Sequence, residues 1–183
     1  LSILGTGRSL PRRAVQAAEL DRQFGFVDGY LENATGVTRR YFCESESQID
    51  LAVDAAQKAL SDAGIAAQDI DLIISAAAVP YQPIPATAPA IQRALGIADG
   101  CCFATDINST CLSFAAALDF AASLLMVGRY GTILIVSAEI ASRGLPWTTQ
   151  PSVAGLFGDG AGAAVVGLRP GSGIRAAHFV TRA

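Results

Sequence analysis

One residue of this chain is best suited to covalent chemistry: Cys111, set in "DINSTCLSF" (106–114) between a strand-like run and a long apolar stretch. A thiol at the entry to a helix faces N–H groups that have no intrahelical partner and the positive end of the helix dipole, and both favour a thiolate. Such a sulfur attacks a carbonyl carbon and leaves again readily. Free cysteines are also among the most buried residue types, so position alone leaves Cys111 open as a nucleophile or a small apolar filler. Cys43, Cys101 and Cys102 read as fillers. The adjacent pair Cys101 and Cys102 admits a thiol redox or sensor reading as well, which would require that pair, not Cys111, to be the more reactive.

A cysteine nucleophile needs a group to move protons and donors for an oxyanion. The single histidine, His178, lies in the strand-like "IRAAHFV" (174–180) and reads as a packed or partly exposed strand residue. A base for Cys111 is therefore expected from outside these 183 residues. With one histidine and no C-x-x-C pair, no metal site is expected. Cys101 and Cys102 do not bridge easily, and four cysteines in a chain of this size point to reduced thiols and a cytoplasmic setting.

A second stretch, "LFGDGAGAAVVG" (156–167), has the glycines of a phosphate-binding loop. Those glycines lead into a β-like run instead of opening a helix, so a nucleotide reading is rejected. The expected role is structural: a tight turn in which Gly158, Gly160 and Gly162 allow close backbone approach or positive φ, with Asp159 bonding local N–H groups.

The elements that must hold these residues read as alternating strands and helices. Apolar runs at 70–79, 101–108, 131–140 and 160–168 are fit for buried strands, and 1–7 for another that ends in a glycine turn. Short helices are expected near 16–24, 27–34 and 88–95. The clearest helix follows Ser47, whose side chain can cap with Asp50 three residues on, and Gly64 ends it. From Leu112 to Val127 only Asp119 is charged, which predicts a helix buried on most sides until Gly128 stops it. The pattern predicts an α/β fold with a mainly parallel sheet covered on both faces.

Composition limits the function classes. With 51% hydrophobic and 16% charged residues the chain can build a substantial core. Its net charge is −3, and apart from Arg12-Arg13 and Arg39-Arg40 the basic residues are scattered, so nucleic acid is not an expected partner. No run reaches the roughly 18 apolar residues of a membrane span, and the start is too short in its apolar part for a signal peptide, so no membrane partner is expected. The chain opens without Met and stops just after a strand-like segment, as part of a longer polypeptide would.

Taken in order, "GYLENATGVTRRYF", "PATAPAIQRALGI", "DINSTCLSFAAAL" and "FGDGAGAAVV" resemble the N-terminal half of β-ketoacyl-acyl-carrier-protein synthase III, of the thiolase superfamily. The resemblance covers essentially all of 1–183. It implies a thiolase-like half with a mixed, mostly parallel five-stranded sheet and helices on both faces. In the full enzyme this half packs on a similar second half, absent from this chain, and the whole forms a homodimer. It implies that Cys111 takes an acyl group from acyl-CoA and passes it to the carbanion left when malonyl-acyl-carrier protein loses CO₂, in the initiation of fatty acid biosynthesis. The histidine and asparagine that assist decarboxylation would lie beyond residue 183. No cofactor is implied, acyl-CoA being a substrate.

Several residues depart from the family pattern. Tyr30 stands where a tryptophan stacks on the CoA adenine, Ala34 and Pro151 stand where arginines are usual, and the CoA grip is expected to differ or the acyl group to arrive on a carrier protein. Ile84 stands near the position of a phenylalanine that, in the family, often closes the neighbouring subunit's acyl pocket, and Ala141 stands where a larger aliphatic residue is common, while Phe157 is retained. These smaller side chains imply room for an acyl chain longer than acetyl, as in a specialised relative acting in secondary metabolism. A catalytically silent partner subunit is the alternative from another class, and the retained Cys111 argues against it.

Overall fold

A computed structural model describes residues 1–171, 173–174 and 176–181. Its elements are, in chain order, β1 (Ser2–Ser9), β2 (Arg13–Gln16), α1 (Ala17–Phe24), α2 (Tyr30–Thr35), β3 (Arg39–Phe42), α3 (Gln48–Ala63), β4 (Leu72–Ser75), α4 (Thr87–Ala94), β5 (Phe103–Asp106), α5 (Ser113–Met126), β6 (Thr132–Glu139), α6 (Pro151–Ala154) and β7 (Gly160–Gly167). Five strands form one sheet in the order β1-β7-β6-β4-β5. β4 pairs in parallel with both β5 and β6, whereas β7 runs antiparallel to both β6 and β1, so four of the five strands point the same way. The mixed, mostly parallel sheet is thus present. The pair β2 and β3, a separate antiparallel ribbon, is too short and too charged to stand out in the sequence.

Strand alternation divides the core into two layers. Ile73, Leu134, Val136 and Val165 face α3 and α4, while Leu72, Ile74, Ile133, Ile135 and Val166 face α5. On the first side α3 lies very close to β1. A Cβ at Gly5 would come within 2.4 Å of Ala63 N, and one at Gly7 within 2.1 Å of Ala55 O, so only glycine fits beneath the helix. Ala52, Ala55, Ala56 and Ala59, all fully buried, complete this seam of small residues. Ser47 and Asp50 form the expected capping box, and Gly64 closes the helix at φ 65°.

On the opposite side α5 departs from expectation. It buries one stripe, Ser113, Ala117, Ala121 and Leu125, spaced four residues apart, and leaves Phe120 and Met126 exposed. A helix laid on one sheet face covers only the side it turns to that sheet; apolar composition does not supply a cover for the other side. A third cluster, Val15, Leu20 and Leu31 with Phe24, Tyr30 and Trp147 around them, packs α1, α2 and β2 together. The 174–180 segment, Arg175 lying outside the described residues, carries no strand, and His178 is exposed there. No ladder partner is available to it among the described residues. No described helix is long and apolar enough to cross a membrane.

Candidate active site

Three parallel strands end at one edge of the sheet, and their C-terminal loops enclose a single cavity of about 910 Å³. β4 sends out the loop through Ala78 and Tyr81, β5 the turn bearing Cys111, and β6 the segment from Glu139 to Leu145. Phe157 and Gly158, just before the antiparallel β7, close the remaining wall. Open α/β sheets bind ligands at this end because the loops there leave a crevice between the covering helices.

Cys111 occupies a 3-10 turn, Thr110–Leu112, that runs directly into α5. It is exposed and lines the cavity. The residue before it, Thr110, has φ 53°, an uncommon conformation for a β-branched residue. Side chains hold that turn in place. Asn108 Oδ1 accepts from Thr110 N at 2.9 Å, and Ser113 Oγ accepts from Ser109 N at 2.9 Å while donating to Thr110 O at 2.7 Å. The outlier marks a turn determined by its surroundings, as is common where reacting groups must be presented.

The other thiols stand apart. Burial, with Asp159 and Glu46 adding to it, pushes the Cys43 thiol up to about 12, and burial raises Cys102 as well. Both remain neutral in neutral solution, which suits fillers. Cys101 does not fit its expected filler role, since it is exposed on the loop before β5. Among the cysteines, only Cys111 borders the cavity.

Asp159 follows the wall residues Phe157 and Gly158 and is itself buried behind them. It bonds not to local N–H groups, as expected, but across the fold. Its carboxylate accepts from Cys43 N at 2.7 Å, from Ser142 N at 2.8 Å and from Ser142 Oγ at 2.7 Å, while its own N–H donates to Tyr41 O at 2.8 Å. Gly158 shows why glycine is needed beside it: a Cβ there would stand 3.1 Å from Tyr41 O and 3.2 Å from Arg40 Cβ. Close approach, not positive φ, is the reason at Gly158 and Gly160, whereas Gly162 shows neither: its φ is not positive and a Cβ there would meet nothing within 4 Å. At Gly160 the close neighbour is Ser9 O, at 3.3 Å. Arg40 Nη2 donates to Gly155 O, tying β3 to the α6 segment just before this wall.

Of the sequence-derived binding residues, Ala141 and Phe157 join Cys111 around the cavity, and Tyr30 and Ile84 do not. Tyr30 packs on Phe26 in the aromatic cluster with ring centroids 5.1 Å apart. Ile84 is 87% exposed on the loop before α4. Four polar residues escaped the sequence reading. Gln48, at the start of α3, donates to Val79 O at 2.9 Å and Ala138 O at 2.7 Å. Glu139 accepts from Ala78 N, and burial pushes its carboxyl up against the downward pull of the Ala78 and Val79 N–H groups. Asn108 and Ser113 complete the set, and only the Asn two residues before Thr110 carried a turn signal. Among the described residues no group of three or more His, Cys, Asp or Glu is placed to hold a metal.

Comparison with known proteins agrees with the motifs. The family model for 3-oxoacyl-[acyl-carrier-protein (ACP)] synthase III matches residues 105–183. The β-ketoacyl-[acyl-carrier-protein] synthase III of Rhizorhabdus wittichii is 44% identical over 170 residues, 92% of this chain and 52% of that protein. The structure of 3-oxoacyl-[acyl-carrier-protein] synthase III from Aquifex aeolicus superposes with a TM-score of 0.85 at 34% identity, covering 92% of this chain and 54% of the other. The priming β-ketosynthase of the R1128 polyketide pathway gives 0.82 at 32% identity, covering 90% and 49%. The chain spans about half the length of the curated relatives it matches.

Proposed function

We propose that this relative of 3-oxoacyl-acyl-carrier-protein synthase III is the N-terminal, acyl-accepting half of such an acyltransferase, with Cys111 as its nucleophile. The observation that carries this reading is the exposed sulfur at a strand-to-helix corner, opening on the cavity formed by the ends of β4, β5 and β6. The positive end of the α5 dipole favours negative charge developing near that corner. The Cys111 thiolate attacks the carbonyl carbon of acyl-CoA, the C–S bond to CoA breaks, CoA leaves as a thiolate that takes up a proton, and a cysteine thioester remains. Malonyl-acyl-carrier protein then loses CO₂, its carbanion attacks the new thioester, and the Cys111 thiolate is released. The thioesters carry their own leaving groups, so the scheme uses no cofactor.

The groups that assist decarboxylation are expected outside residues 1–183, since His178 does not border the cavity. A homodimer fits the scheme: β5 is an edge strand with Phe103 exposed, and Ile84 protrudes nearby in chain order as a side chain that reaches another subunit would. Soluble substrates and a cytoplasmic setting accompany the reading.

A second reading, a specialised relative that uses longer acyl chains, has one observation in its favour. A small residue, Ala141, lines the cavity together with Cys111 and Phe157, and the cavity is large. The experiment for both is intact-mass analysis of the protein after incubation with acetyl-CoA or octanoyl-CoA, with peptide mapping. An acyl adduct on Cys111 that is lost in Cys111→Ala is expected; a folded, complete protein that takes no acyl group from either donor would sink the assignment. A strict preference for acetyl would sink the second reading alone.

A further inference from the structure

Asn108 makes two bonds that point in different directions. Its Oδ1 accepts from Thr110 N at 2.9 Å, inside the nucleophile turn, and its Nδ2 donates to Ala78 O at 2.8 Å, on the loop after β4. Ala78 is held from its other side as well, because its N–H donates to Glu139 at the end of β6. The next residue, Val79, offers its carbonyl to Gln48 Nε2 at 2.9 Å. A continuous chain of hydrogen bonds therefore runs from β6 through the cavity wall to the residue before Cys111. Thr110, at φ 53°, would relax toward a commoner conformation if its N–H lost that acceptor, and Cys111 would move with it.

We infer that Asn108 is a positioning residue that fixes the direction of the Cys111 sulfur and locks it to the Ala78–Tyr81 wall of the cavity. This rests on the acyl-transfer reading for its purpose, but not for its geometry. The amide supplies what the site requires, an acceptor for the turn and a donor for the wall on one short side chain, and only asparagine has both at that length. A displaced thiol loses reactivity because the attacking atom no longer meets its target in line.

Two readouts separate the turn from the wall. The first is the rate at which iodoacetamide alkylates Cys111 in the intact protein, followed by peptide mapping so that exposed Cys101 is counted apart, and taken on the high-pH plateau where the thiol is fully ionised. The second is the profile of acylation rate against acyl-CoA chain length. Asn108→Ala is expected to slow plateau alkylation about tenfold and to flatten the length profile, with a melting temperature within a few degrees of the parent because Asn108 is exposed. Asn108→Asp keeps the acceptor for Thr110 N and loses the donor to Ala78 O. It is expected to hold the plateau rate within about threefold while still flattening the profile. Parent-like plateau rates and profiles in both variants would overturn the inference. A parent protein that alkylates at Cys111 but accepts no acyl group would overturn the acyl-transfer reading and leave the alkylation test of Asn108 intact.

Discussion

Two corners at the same end of the sheet face each other across the cavity, and they are built on opposite plans. The Cys111 turn is exposed, bends through a non-glycine residue at positive φ, and is held by two side chains, exposed Asn108 and buried Ser113. The opposite corner packs tightly on β3 at Gly158, where a Cβ would stand 3.1 Å from Tyr41 O, and its one charge, Asp159, is buried with three donors upon it. Under the proposed acyl transfer, the first corner would present the reacting atom and the second would fix the wall that the acyl chain meets. On that proposal chemistry and architecture belong to different strand ends, and each should be removable without the other.

The widest separation is expected between Cys111→Ala and Asp159→Ala. Losing an exposed sulfur should shift folding stability by no more than about 0.5 kcal/mol while abolishing acylation. Losing Asp159 strands the N–H groups of Cys43 and Ser142, each worth about 1–3 kcal/mol when buried without a partner, so Asp159→Ala should cost about 2–6 kcal/mol. Urea unfolding of both variants measures the contrast. Equal losses would mean that the two corners are one structural unit.

A smaller effect tests what the second corner does for selectivity. Ala141 precedes Ser142, which Asp159 holds through both its N–H and its hydroxyl, so a larger side chain at 141 cannot swing aside without breaking those bonds. Ala141→Leu is expected to lower the ratio of octanoyl to acetyl acylation rates about tenfold, within the range that one or two methylenes command in an apolar pocket. An unchanged ratio would mean that the acyl chain lies elsewhere.

Much of this was legible in the residues themselves. The buried strands announce themselves as apolar runs, Ser47 and Asp50 as a helix start, and Cys111 by its place between a strand and a helix. Three features were hidden for physical reasons. The positive φ of Thr110 is imposed by Asn108 and Ser113 against the preference of a β-branched residue, so propensity points the wrong way. The reach of Asp159 to Cys43 spans 116 positions, and no local pattern encodes a contact so distant. The open face of α5 was hidden because a hydropathy pattern reports what a helix can bury, not whether a partner surface is there to bury it.

Glu46 sharpens the contrast from outside the site, because it does near the surface what Asp159 does under cover. Its carboxylate accepts from Arg12 N at 2.9 Å, Glu44 N at 3.0 Å and Ser45 N at 3.3 Å. Those N–H groups, Arg12 first, hold its pKa at about 2 against an ordinary 4.5. A carboxyl whose pKa is depressed on folding contributes stability that is fully present above about pH 4.5 and disappears as pH falls through about 2. The difference in urea midpoint between the parent and Glu46→Gln should therefore be constant from pH 7 to 5 and close between pH 4.5 and 2. Because Glu46 is only half-buried while Asp159 is buried, added salt should shrink that difference, whereas the loss caused by Asp159→Ala should be nearly indifferent to salt. A Glu46 effect that persists at pH 2 would mean that its bonds to the loop hold without the charge, and the distinction between a screened carboxylate and a buried one would then lie only in how many donors each collects.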